Sequence, residues 1–355
     1  MNKISKIGMS ALCGSLAAIS AASAGSLDVT GTAEATWTSV SNGVTGNPIG
    51  MNTGLTFKGN GELDGGQTFS VTIAQTDKLA YSSANITLNT NSLGKFVLSS
   101  AEGGQGIGGY DDNMPRAWEE VWDTAIATNA NFQKGVGSST NISWKSPVVL
   151  GSSIQIAYAP DNDGAQNDNK AVSGSASDAF GAGWDVVLDF GAGKPVNVFI
   201  GASETDQTDY KKSGSEDTGQ HHQEAVVGLQ FSFGPLQAGG QISAERLATQ
   251  TRNATTYYGN TSWGVAFNVS DDLSISYSEA KHLQTKSKVS SSWVPNGDGS
   301  ALTPKSWMRG DSIQVAYTIG GVALKYAQTK YDNTGFSFVG QTPKESRIVA
   351  VSLAF

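Results

Sequence analysis

Along most of this chain, apolar and polar residues alternate with a period of two. In KESRIVAVSLAF, at its end, Val349, Val351, Leu353 and Phe355 fall on one face, and Ile348, Ala350, Ser352 and Ala354 on the other. Successive side chains of an extended strand point to opposite sides, so one side is greasy and the other small or polar. The rhythm returns in VVGLQFSF, WGVAFNV, SIQVAYTI and VALKYAQTK. It predicts sixteen strands, near 26–37, 50–64, 66–77, 82–91, 93–101, 139–146, 152–160, 181–191, 195–204, 223–234, 236–247, 259–270, 273–282, 310–319, 322–331 and 345–355.

The links decide between the architectures that alternation allows. After every second strand they are tight, as in DGG at 64–66, NSL at 91–93, GPL at 234–236 and GGV at 320–322. The links between these are mostly long and polar, for example 161–180, 205–222 and 283–309. A sandwich with Greek-key crossings does not sort its loops this way. Short turns at one end and long loops at the other predict an all-β fold, a transmembrane antiparallel up-and-down β-barrel closed so that no backbone is left unpaired in lipid. Aromatic residues near strand ends, Trp37, Tyr81, Tyr158, Tyr257, Tyr258 and Phe355, are expected in the interfacial girdles.

One stretch breaks the rhythm. GGYDDNMPRAWEEVWDT, Gly108 to Thr124, lies in the longest link, near 102–138, and crowds five carboxylates with one arginine and two tryptophans. Asn113 is placed to cap a helix and Pro115 to begin it. Trp118, Val121 and Trp122 then share an apolar face, leaving Asp111, Asp112, Glu119, Glu120 and Asp123 toward water.

Composition supports export and a wet interior. Lys3 and Lys6, the apolar run Ile7 to Ala22 and the Ala22-Ser23-Ala24 pattern predict a cleaved signal peptide over 1–24, leaving 25–355 as a single barrel. The lone cysteine, Cys13, lies within that leader after Leu12, which argues against both a lipid anchor and a disulfide framework. Of 23 basic and 31 acidic residues, Lys3 and Lys6 fall in the leader, so the remainder carries a net charge of −10. That excludes nucleic acid as a partner. A hydrophobic share of 38% is low for a thick core, but fits a barrel whose greasy face points out to lipid.

Three segments then carry a family resemblance: ASAGSLDVTGTAEATW at 22–37, GKFVLSSAEGG at 94–104, and the alternating end with terminal Phe355. The chain is similar to the general diffusion porins of Gram-negative bacteria, most of all their alphaproteobacterial branch. The resemblance implies an outer-membrane homotrimer of sixteen-stranded barrels among lipids and lipopolysaccharide, passing small hydrophilic solutes and ions without a cofactor. It also implies a third loop folded inward, with its acidic residues facing a basic wall. Strand parity sends Lys58, Lys95, Lys145 and Lys325 into the lumen with Glu34, Glu62, Asp185 and Asp189. Lys58 and Lys145 are the expected basic wall, with Arg116 and Lys134 contributing from the loop. The expected function is therefore passive, weakly cation-preferring diffusion. A substrate-preferring channel is the alternative, and an enzyme or adhesin on a barrel scaffold a more distant one. The second outer loop, 78–81, is too short for the latch to a neighbouring subunit that many such porins have.

Other chemistry is sparse. His221, His222 and His282 are expected in outer loops as solvated side chains, although His221-His222 beside Glu216, Asp217 and Glu224 could hold a metal. DNDGAQNDN, 161–169, has the alternating oxygens of part of a calcium loop, with Asp161 and Asp163 as ligands, but lacks the distant bidentate glutamate.

Overall fold

The computed structural model describes residues 25–42, 46–77, 80–162, 180–191, 194–207, 221–247, 254–286, 305–337 and 341–355. The expected signal segment 1–24 lies outside them. Sixteen strands form one closed antiparallel barrel in chain order. They are β1 (Leu27–Ser41), β2 (Ile49–Glu62), β3 (Thr68–Thr76), β4 (Ala80–Thr90), β5 (Gly94–Ser100), β6 (Asn141–Lys145), β7 (Ser152–Ala159) and β8 (Phe180–Phe190). The second half comprises β9 (Val196–Gln207), β10 (His221–Phe233), β11 (Leu236–Arg246), β12 (Thr255–Asn268), β13 (Leu273–Lys286), β14 (Lys305–Ile319), β15 (Val322–Asp332) and β16 (Lys344–Ala354).

The last strand closes on the first through pairs such as Trp37 with Val349 and Thr32 with Ala354. Gly31 and Phe355 exchange backbone hydrogen bonds of 2.8 and 3.0 Å at this seam. A Cβ on Gly31 would strike the Phe355 ring, so the aromatic terminus lies flat over a residue that has no side chain.

The outer face carries the apolar half of each alternation. Leu27, Ile49, Ile86, Ile142, Ile200 and Leu353 are all exposed, together with many like them around the barrel. Soluble proteins rarely expose apolar patches beyond a few hundred Å². In lipid the same band is the buried surface, and among the described residues no helix is long and apolar enough to span a membrane.

Two expectations about faces fail. Tyr257 and Tyr258 are consecutive in β12 and must point to opposite sides. Tyr258 lies opposite the lumen-facing Glu245 and packs inside the barrel against Phe336 with ring centroids 6.2 Å apart. His282 is no loop residue, because β13 continues to Lys286; the imidazole is buried on the lumen side. Its Nδ1 pairs with Asn260 Oδ1 at 2.8 Å and its Nε2 with the Tyr331 hydroxyl at 3.0 Å.

Candidate functional site

The link between β5 and β6 turns back into the barrel, and lumen-facing side chains of the wall hold it there. On the inbound leg, a 3-10 turn at Gly106–Tyr110 packs Ile107 and Tyr110 on Val187, Phe199 and Val226. The Ile107 N–H donates to Asp185 Oδ2 at 3.1 Å, and the Tyr110 hydroxyl to Asp189 Oδ2 at 3.2 Å. Further along, the Gln241 amide donates to the Asp111 carbonyl at 2.7 Å and the Gln230 amide to that of Asn113. The Gln314 side chain accepts from the amides of Trp118 and Glu119, both at 3.0 Å, and donates back to the Glu119 carbonyl at 2.6 Å.

Val121 and Ile126 then pack on Ala280, Met308, Tyr331 and Phe336. Trp122 packs on Phe132 at a tilt of 38° with centroids 4.1 Å apart, and both rings meet His282 edge-on. On the return leg, the amides of Lys134 and Gly135 donate to the Glu224 carboxylate at 2.9 and 2.6 Å, and that of Val136 to Asp185 at 3.2 Å.

The expected helix from Pro115 does not form. The amides of residues 117–119, which would serve an α-helical turn, donate instead to Ser276 and Gln314 of the wall. Wall acceptors outcompete the helix because a short isolated helix has a costly nucleus. The apolar contacts expected of Val121 and Trp122 with the wall are present. Trp118 lies apart from them, under the Lys325 ammonium at 5.3 Å.

Asp185 sits where the two legs meet. Its carboxylate lies in a cradle of Gly106 and Gly135, both at positive φ (+60° and +59°), and a Cβ at either would collide with it. Sequence reading placed Asp185 and Asp189 in the lumen by parity but did not show that they bind the loop. Apolar residues at parity positions that are otherwise polar, such as Val187, Phe199, Val226 and Met308, are the signal that something packs against the inner wall.

The loop's charges divide into paired and unpaired groups. Arg116 is bound by Asp112 at 3.0 Å and by Glu120, so the guanidinium expected on the basic side is neutralised by its own loop. Of the five carboxylates expected to face water, only Asp123 is exposed; Asp111, Asp112, Glu119 and Glu120 are half-buried. Burial, then the neighbouring Asp112, raise the Asp111 pKa to about 6. Glu119 rises to about 7, chiefly through burial, reinforced by Glu120, Asp123 and Glu34 and opposed by Lys325.

Lys325 and Glu34 form an ion pair of 2.9 Å beside this acidic group. Lys145 and Lys95 are direct cross-strand partners on the lumen face. They line a cavity of about 540 Å³ with Lys194, Asp189 and the loop residues Tyr110 and Asn113. Lys58 borders a separate cavity of about 620 Å³ with Asn60, Glu62 and Asn89, whose lining includes no residue of the loop. Lys134 is exposed. Asp161 is described just beyond β7, but Asp163 and the rest of the calcium-like stretch lie outside the described residues.

A family model for the Gram-negative porins matches residues 8–298. The chain belongs to the Gram-negative porin family. No curated protein matches it in sequence. Among solved structures, the barrel resembles a loop L8 deletion mutant of OmpT, an outer membrane protein of Vibrio cholerae, with a TM-score of 0.62 at 10% identity over 94% of this chain and 100% of that one. It resembles the trimer form of in-vitro folded V. cholerae OmpT at 0.59, with 12% identity over 93% and 99%. Salmonella typhi OmpF in complex with daunomycin gives 0.58, with 12% identity over 93% and 97%. This porin is thus a channel of the bacterial outer membrane, and its family and fold are those of a channel rather than an enzyme.

Proposed function

We propose that small hydrophilic solutes and ions cross through the water-filled gap between the inward loop and the wall of β1–β4, by sieving with an electrostatic bias toward cations. No covalent step or cofactor takes part. One observation carries this reading. None of the lumen-facing residues of β1–β4 is buried, whereas most of those on β7–β16, the side of the wall on which the loop is held, are buried. Asp111, Glu119, Glu120 and Asp123 edge the gap from the loop side and supply the bias, since rings of carboxylates near a constriction favour cations. The Lys325–Glu34 pair borders it from the wall, while Lys58 lies further along the lumen, beyond the reach of the loop. Residues 1–24 act as a cleaved leader, and the outer apolar band contacts lipid and lipopolysaccharide. The porin works as a homotrimer, as the trimer form of the V. cholerae relative suggests.

A planar-bilayer measurement tests the reading. Purified protein is expected to give large ohmic steps grouped in threes. In a KCl gradient, the Glu119→Gln/Glu120→Gln double variant should move the reversal potential toward zero. An unchanged potential would remove these carboxylates from the ion path.

A second reading, a channel preferring an anionic solute, has one observation in its favour. Lys95, Lys145 and Lys194 share a cavity whose lining contains a single carboxylate, Asp189. Saturation of the conductance by citrate, absent in a Lys145→Gln variant, would select it.

A further inference from the structure

We infer that His222, Glu224 and Glu245 form a binding site for a divalent first-row metal ion of the zinc class, set between the barrel wall and the returning leg of the inward loop. Strand register creates the constellation. Glu224 of β10 and Glu245 of β11 are direct cross-strand partners, and His222 lies two residues from Glu224 on the same lumen-facing side. His222 Nε2 is 2.9 Å from Glu245 Oε1 and 3.9 Å from Glu224 Oε1. One ligand atom from each residue lies within 4.8 Å of the other two.

The three side chains are only 11%, 2% and 9% exposed. Like charges directly opposite in a sheet destabilise it, and burial of unpaired charge is more costly still. Among the described residues, no lysine or arginine pairs with either glutamate; their one ion-pair partner is His222. A bound dication would offset both carboxylates at once.

The outer hydrogen bonds of such a site are already in place. Both Glu224 oxygens accept backbone amides of Lys134 and Gly135, and Asn131 Nδ2 donates to Glu245 Oε2. Bonds of this kind orient metal ligands and fix their basicity. Each carboxylate oxygen keeps a lone pair for an ion. The donor chemistry restricts the metal. One imidazole nitrogen with two carboxylates suits Zn²⁺ or Co²⁺ with water in a fourth position, while Ca²⁺ requires six to eight oxygens. Glu119, Glu120 and Asp123 also converge, but they offer carboxylates alone and Arg116 already occupies Glu120. The sequence suggested a metal at His221-His222 with Glu216, Asp217 and Glu224. Glu216 and Asp217 lie outside the described residues; in the barrel, Glu245 joins from the next strand, and His221 faces outward beside Asp206 at 3.0 Å.

Occupancy would tie residues 131–135 of the loop to β10 and β11. The test is a calorimetric titration of ZnCl₂ into folded, EDTA-treated porin in detergent, with X-ray absorption at the zinc edge. One Zn²⁺ per chain is expected, with one imidazole and otherwise oxygen ligands. Glu245→Gln and His222→Gln should each weaken binding by more than the roughly 10–100-fold that loss of an outer-shell partner costs. His221→Gln should leave it unchanged. Lack of stoichiometric binding, or an absorption spectrum without imidazole, overturns the site even if a variant fails to fold. Equal affinity in folded His222→Gln overturns it too.

Discussion

Replacing Asp185 with alanine is expected to free both legs of the inward loop and raise single-channel conductance and its noise. Its carboxylate accepts the Ile107 amide on the way in and the Val136 amide on the way out. Both residues are completely buried, so water cannot replace the lost acceptor. Leaving two buried donors unsatisfied costs about 2–6 kcal/mol. That loss falls on the loop, because the closed ladder of sixteen strands does not pass through those bonds. The variant should therefore still migrate as a folded, heat-modifiable barrel while its channel widens. Gly135→Ala, which drives a methyl group into the same carboxylate from a backbone at φ +59°, should act in the same direction. A folded Asp185→Ala channel of unaltered conductance would show that the loop is held elsewhere.

The second large effect is a pH-dependent selectivity in the physiological range. Glu119 titrates near about 7 and Asp111 near about 6, because burial and neighbouring carboxylates disfavour their charged forms. Both are neutral at pH 5. As pH rises, Asp111 ionises first and Glu119 next, adding negative charge at the gap, so cation preference increases from pH 5 to 8. One charge about 6 Å from a passing ion contributes about 0.7 kcal/mol even at the dielectric of water, roughly a threefold bias in local concentration. The reversal potential should be recorded at low salt, where screening is weakest. Glu119→Gln is expected to abolish the upper part of the rise and leave the lower part near pH 6. A flat profile in the unmodified porin would mean that neither group faces the ion path.

These effects depend on features that differ in how far they could be read from the chain. Strand number, strand order and facing were readable almost residue by residue, down to the lumen positions of Lys95, Lys145, Asp185 and Lys325. Alternation is a local property, and a pleated strand converts it directly into inside and outside. The inward loop was recognisable as an interruption, but its conformation was misread as a helix. The amides of Trp118 and Glu119 find their acceptor on Gln314, 196 and 195 positions away. Local pattern contains nothing about such a partner.

The same division explains the histidines and the charged groups. A strand end misplaced by a few residues moved His222 and His282 from an imagined loop into the barrel wall. Arg116 looked like a free cation until folding brought Asp112 and Glu120 around it. Periodicity along the chain thus settled that there is a lipid-facing barrel, which residues line it and where it is interrupted, since those follow from neighbours two positions apart. The path of the loop, the raised pKa values of Asp111 and Glu119, and the meeting of His222 with Glu224 and Glu245 were decided only by closure. They require groups from distant strands to share one dry interior face, and only the folded cylinder brings those groups together.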